Sequence, residues 1–186
     1  MLFRSKDIYE ERFKMVKELF EENRILVSPD AHAYLQSLLS IIVSRNKELK
    51  DLNIRLVFSK DDWPNAYSVG EGTIVFNAGL FVYLKNEAEL VFVICHELSH
   101  LYLDHRNKAI KKNIDLITSK DFQNELKRIS KQEYGAGAEL DKLLKSFAFG
   151  SRRHSRENEA EADRQAMLFM KNTGFDCMGA ITCLRL

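Results

Sequence analysis

The sequence predicts an α+β fold, predominantly helical, with a small antiparallel sheet beside one buried helix. Three observations predict it. Leu90, Val91, Val93, Ile94, Leu98 and Leu101 make one stretch apolar nearly all round, the mark of a central helix. Its polar residues form the pattern His96-Glu97-Leu98-Ser99-His100. Three short runs, Ile54–Phe58, Asn65–Val69 and Thr73–Asn77, are rich in β-formers and bounded by turn residues.

Taken in order, Ser5–Arg24 reads as a charged amphipathic helix, with Tyr9, Phe13, Val16 and Phe20 at three- and four-residue steps. Ser28-Pro29 is an N-cap followed by proline at the first helical position. It opens a second helix to about Arg45 that buries Leu35, Leu38, Leu39 and Ile42. After the strand at Ile54–Phe58, Asp61–Asn65 is a turn containing Trp63-Pro64. Gly70-Glu71-Gly72 then joins the other two strands. Gly79–Leu84 is a short helix. Asn86 caps the central helix, and Glu89 at its third position completes a capping box. His105 falls near that helix's end, where a protonated ring favours the dipole.

Lys108, Lys111 and Lys112 are a charge run, usually a solvated face. Asp121–Lys131 and Glu139–Phe147 read as helices around a Gly/Ala break at Tyr134–Ala138. Polarity and glycines make 106–150 a candidate mobile lid. His154 precedes a further acidic helix and reads as a surface residue. Gly174 is a C-cap, and Asp176 opens a last helix to Leu186.

The chemistry lies in the central helix. Residues four apart share a helix face, so His96 and His100 can offer ring nitrogens to one metal ion. Glu97 sits one step round, able to reach a water on that ion but badly placed as a ligand. Two imidazoles holding zinc with a carboxylate that takes the water's proton is the zinc-hydrolase arrangement. A catalytic site needs a third protein ligand. A glycine and histidine three and six residues after His100 would be one source, but Leu103 and Arg106 stand there. A glutamate about 20 residues on would be another, but Lys120 and Asp121 stand there. The acidic, alanine-rich run Ser155–Arg164 offers Glu159 and Asp163, four apart on one helix face. A ligating Glu159 with Asp163 receiving the free N–H of a metal-bound histidine would come from one helix.

HELSH followed by SRENEAEAD resembles the HtpX and CAAX-prenyl-endopeptidase family of zinc metallopeptidases, gluzincins with a later ExxxD. The likeness runs over about residues 54–183 and takes in Asn65-Ala66-Tyr67-Ser68, Gly72–Leu80, Asn86–Leu90 and Thr173–Asp176. It implies a zincin-like fold, one zinc ion per chain, and proteolysis. Carried over by position, His96, His100 and Glu159 become the zinc ligands, Glu97 the general base, and Asp163 the partner of a ligand histidine. It further implies that the sheet edge holds an extended substrate by backbone pairing, which makes Asn65, Tyr67, Thr73 and Val75 substrate-binding candidates. Tyr67, His105, His154 and Tyr134 are unranked candidates for a second oxyanion donor.

Length and composition suit one domain, 1–186, with a helical N-terminal segment at 1–50 and the family-like catalytic core at 54–183. A net charge of +1 gives no basic field to argue for nucleic acid or an anionic membrane. The resemblance implies a protein or peptide substrate. No apolar run approaches the ~20 residues of a membrane span, so the chain reads as a soluble form of a family with many membrane members. Met1–Lys6 has no signal-peptide core. The compartment is therefore cytoplasmic if the chain is complete, and extracytoplasmic, for instance periplasmic, if a leader was removed. Three cysteines make no disulfide framework; Cys95 reads as core, Cys177 and Cys183 as small hydrophobes. The rival function is a zinc-binding, non-proteolytic chaperone-like or interaction module. Oligomeric state, cleavage specificity and physiological substrate leave no mark in the sequence.

Overall fold

A computed structural model describes residues 17–70, 72–132 and 134–183, with the side chains of 144–154 excepted. Most of the expected first helix lies outside these residues, along with Tyr9, Phe13 and Val16. Residues 17–21 are helical. There Leu19 is the buried side chain, against Val69 and Val75, while Phe20 is 63% exposed.

The described chain forms two compact units, residues 1–104 with 162–186, and residues 105–161. In the first, α1 spans Pro29–Arg45 and buries the expected Leu35, Leu38, Leu39 and Ile42. Its C-terminal Asn46 is 1% exposed. The Asn46 amide donates to the Ile42 carbonyl at 2.8 Å and the Phe169 carbonyl at 3.2 Å.

Three strands follow: β1 (Arg55–Ser59), β2 (Ala66–Gly70) and β3 (Thr73–Asn77). The expected antiparallel sheet is in fact mixed, in the order β1-β3-β2. β3 pairs antiparallel with β2 but parallel with β1. The physical reason is burial. All five β3 residues are buried, and a strand apolar on both faces belongs in the centre. The loop after β1 carries the chain past the neighbouring place, and β3 returns to fill it. Gly72 permits this return: its φ is +79°, and a Cβ there would stand 1.8 Å from the Asn53 carbonyl oxygen. The outer edge of β1 is partly covered, since Leu26 N–H donates to the Phe58 carbonyl and Ile25 bridges Ser59.

A short helix, α2 (Leu80–Tyr83), leads to α3 (Glu87–Tyr102). The core gathers Leu90, Val91, Phe92, Ile94, Cys95 and Leu98 of α3 with α1, β1 and β3. The last helix, α7 (Met178–Cys183), packs on α3 so closely that a Cβ on Gly179 would lie 2.6 Å from the Ala88 backbone. Asp176 caps it, accepting from Met178 N–H at 2.9 Å. The expected extension to Leu186 reaches residues outside those described.

Asp104 has φ +54° and separates α3 from α4 (His105–Thr118). His105 therefore starts a new helix instead of ending the central one. α5 spans Lys120–Ser130, close to expectation, and Ser119 caps it. The expected Gly/Ala break does separate α5 from the next helix, with Gly135 at φ +79°, but the two helices expected beyond it are not separate. One helix, α6, runs unbroken from Ala136 to Lys171. The run contains no proline, and the helix penalty of a glycine such as Gly150 is about 1 kcal/mol. No described helix is long and apolar enough to cross a membrane.

Candidate metal centre

The α3 N-terminus is fixed before the site begins. Asn86 Oδ1 accepts from Glu89 N–H at 3.0 Å, and the Glu89 carboxylate accepts from Lys85 N–H at 2.7 Å. Glu89 is fully buried. The Lys85 N–H is the main reason its pKa lies below the usual carboxylate value, against the opposing effect of burial.

Two turns on, the histidines converge. His96 Nε2 and His100 Nε2 lie 3.0 Å apart. His96 Nδ1 lies 2.9 Å from Asp163 Oδ1. Asp163 is an acceptor, so the proton sits on Nδ1 and the Nε2 lone pair is left facing His100. This donor set fits zinc. Nitrogens on two corners of a tetrahedral site with bonds of about 2.0–2.1 Å stand about 3.3 Å apart, near the observed separation. Phe92 packs one turn below, its ring 6.2 Å from that of His96. Glu97 is on the same helix and 7% exposed, a carboxylate largely removed from bulk water. Glu159 lies on α6 one turn before Asp163, on the same helix face. Two imidazoles and a carboxylate, from His96, His100 and Glu159, are by their chemistry a zinc donor set.

The substrate candidates divide. Thr73 and Val75 lie on the central strand, whose backbone pairs with β1 on one side and β2 on the other. They have no open edge to offer an extended peptide, which corrects the expectation for both. Their side chains are also buried. Asn65 immediately precedes and Tyr67 lies within β2, an edge strand among those described and one that packs near α3. Burial first, and then the nearby Asp61 charge, raises the Tyr67 pKa, so its hydroxyl remains a proton donor at neutral pH.

Of the other oxyanion candidates, Tyr134 is 90% exposed. His105 is buried and engaged, its Nε2 3.1 Å from Glu161 Oε2. That pair was not legible in sequence, because nothing in the spacing of residues 56 apart marks it. The His154 side chain lies outside those described. Cys95 is core, as expected; burial pushes its thiol up to about 12, so at neutral pH it is an uncharged thiol among apolar side chains.

A model of peptidase family M48 matches residues 29–184. Similar proteins include the "Beta-barrel assembly-enhancing protease" of Escherichia coli O157:H7, 27% identical over 87% of this chain and 33% of that protein. The protein of that name from Yersinia pestis is 25% identical over the same shares. A "Putative beta-barrel assembly-enhancing protease" of Vibrio cholerae is 23% identical over 82% of this chain and 32% of that one. The chain thus spans about a third of the length of these curated relatives.

Proposed function

The chain belongs to peptidase family M48, a metallopeptidase family, and from that premise we propose that it is a zinc-dependent endopeptidase. His96, His100 and Glu159 hold the ion, and Glu97 is the general base. The observation that carries this reading is the His96 ring, tied at Nδ1 to Asp163 and turned at Nε2 toward His100. Glu159 is supported by its helix. Asp163 fixes which face of α6 addresses His96, and a residue four positions earlier shares that face. The likeness to the HtpX and CAAX branch, carried by HELSH and NEAEAD, belongs to the same proposal.

Zinc bound there lowers the pKa of a water and polarises the scissile carbonyl. The protein does the rest. Glu97, in its buried position, accepts the water's proton and delivers it to the leaving amine. Asp163 keeps the His96 proton on Nδ1 through the cycle, so Nε2 stays a ligand. The β2 edge takes the peptide backbone, with Asn65 and Tyr67 beside it. From the names of the relatives we carry over only the peptidase, since the shared segment is a third of each of those proteins.

The test combines metal content by mass spectrometry with casein cleavage, wild type against Glu97→Gln. A chelator-sensitive cleavage lost in Glu97→Gln is the expected result. Zinc bound without any cleavage by the wild type would support the rival non-proteolytic module. An absence of zinc would defeat both.

A further inference from the structure

The loop from Lys60 to Asn65, which delivers the chain into β2, is pinned at nearly every residue. Asp61 receives two bonds from the Arg24 guanidinium, at 3.0 and 2.6 Å. Its N–H donates to Ser59 Oγ at 3.1 Å, and its carbonyl accepts from Gly79 N–H at 2.9 Å. Asp62 lies against Gly79 so tightly that a Cβ on that glycine would stand 1.9 Å from the Asp62 carbonyl oxygen. The Asn77 side chain donates to the Trp63 carbonyl at 3.1 Å, and its backbone N–H to the Asn65 carbonyl at 3.0 Å. The first of these bonds is made although it leaves Asn77 Oδ1 buried and without a partner. Pro64 stiffens the tip further.

On this rigid loop stands the protein's sole tryptophan, 73% exposed. Folding gains little from an indole left in water. Yet its backbone carbonyl is held by the Asn77 side chain, between neighbours that are themselves bonded. A large amphipathic side chain presented on a preorganised backbone loses little entropy when something covers it, which is why tryptophan dominates binding hot spots. Its place in the chain says what covers it, because Trp63 stands three residues before β2.

We infer that Trp63 is a specificity-determining residue, a platform for an apolar side chain of the polypeptide laid along β2. This rests on the peptidase reading, with β2 as the substrate edge. The enzyme then favours segments with a leucine- or phenylalanine-sized residue at the position that meets the indole, the kind of segment an unfolded chain exposes.

A single tryptophan makes the test direct. The Glu97→Gln protein is loaded with zinc and mixed with short fluorescein-labelled peptides free of tryptophan and tyrosine. One series carries leucine and the other serine at otherwise identical positions. Anisotropy reports binding, and tryptophan emission reports the indole. The leucine series is expected to shift Trp63 emission to the blue and shield it from acrylamide, in step with the anisotropy. In the active enzyme, Trp63→Ala is expected to lower the leucine-to-serine ratio of kcat/KM about tenfold, and Trp63→Phe to restore most of it. Anisotropy that rises while emission and quenching stay flat, or a ratio unchanged in Trp63→Ala, overturns the inference but leaves the peptidase standing. Failure of every peptide to bind, together with failure of the active enzyme to cleave casein, overturns both.

Discussion

The Asp163 carboxylate meets the His96 ring at the nitrogen that faces away from His100. It accepts from Nδ1 at 2.9 Å and thereby keeps Nε2 unprotonated toward His100. An amide in its place can present either an oxygen or an N–H, and the charge is gone. Asp163→Asn is therefore expected to weaken zinc binding ten- to a hundredfold, roughly the range for such outer partners. Competition against a chelating dye measures it, and an unchanged affinity would remove Asp163 from the site. Glu97→Gln should behave in the opposite way. It keeps zinc affinity near wild type and loses turnover by about 10²–10⁴, the span of a lost general base. The two variants thus separate holding the ion from using it. The shared face of His96 and His100 was legible in sequence because it depends on spacing within one helix. The pairing of Asp163 with a histidine of that helix was legible because the acidic run offers it one turn from Glu159. The His105–Glu161 pair was not, since it joins two helices whose approach no local pattern encodes.

At the scale of elements, α3 is the best-specified piece of the chain, and Glu89 shows why. It caps the helix that bears the histidines, accepting from Lys85 N–H at 2.7 Å and from Asn86 Nδ2 at 3.4 Å, while fully buried. Its pKa in the folded state lies below the ordinary carboxylate value. A depressed folded pKa means the ionised group stabilises the fold above its unfolded pKa, and that contribution is lost as pH falls through the folded value. Glu89→Gln is accordingly expected to cost about 1.5–3 kcal/mol at neutral pH, the worth of hydrogen bonds to a charged group. The gap to wild type should narrow in acid. Urea unfolding at neutral pH and near pH 3 reads both, and a gap independent of pH would contradict the role given to the charge. The capping box was visible in Asn86 and Glu89 because it is local. The sheet was visible only in its strands. Its mixed pairing depends on β3 being buried on both faces, and the polar residues Thr73 and Asn77 at the ends of the run concealed that. The same error placed Thr73 and Val75 at a substrate edge. The unbroken α6 was missed for a different reason: Glu139–Phe147 and the acidic run after His154 read as two helices, although the stretch between them holds no proline and continues the helix.

At the scale of the molecule, the proposed zinc site makes metal binding and folding one equilibrium. His96 and His100 stand on α3, and α3 supplies more buried side chains to the first unit's core than α1 does. A ligand that binds only the folded chain adds its binding free energy to stability, about 2.7 kcal/mol when free zinc is a hundred times its dissociation constant. For a chain of this size each kcal/mol moves the melting midpoint by roughly 2–4 °C. Zinc should therefore raise Tm by about 5–10 °C over protein held in chelator, by calorimetry at neutral pH. His100→Ala should melt at one temperature in either condition, whatever its own stability. That internal comparison matters, because a core substitution can lower Tm without any metal being involved. If instead the wild type melts identically with zinc and with chelator, the two imidazoles do not hold an ion in the folded state. The 3.0 Å approach of their nitrogens would then be only a hydrogen bond between neighbouring turns of a helix.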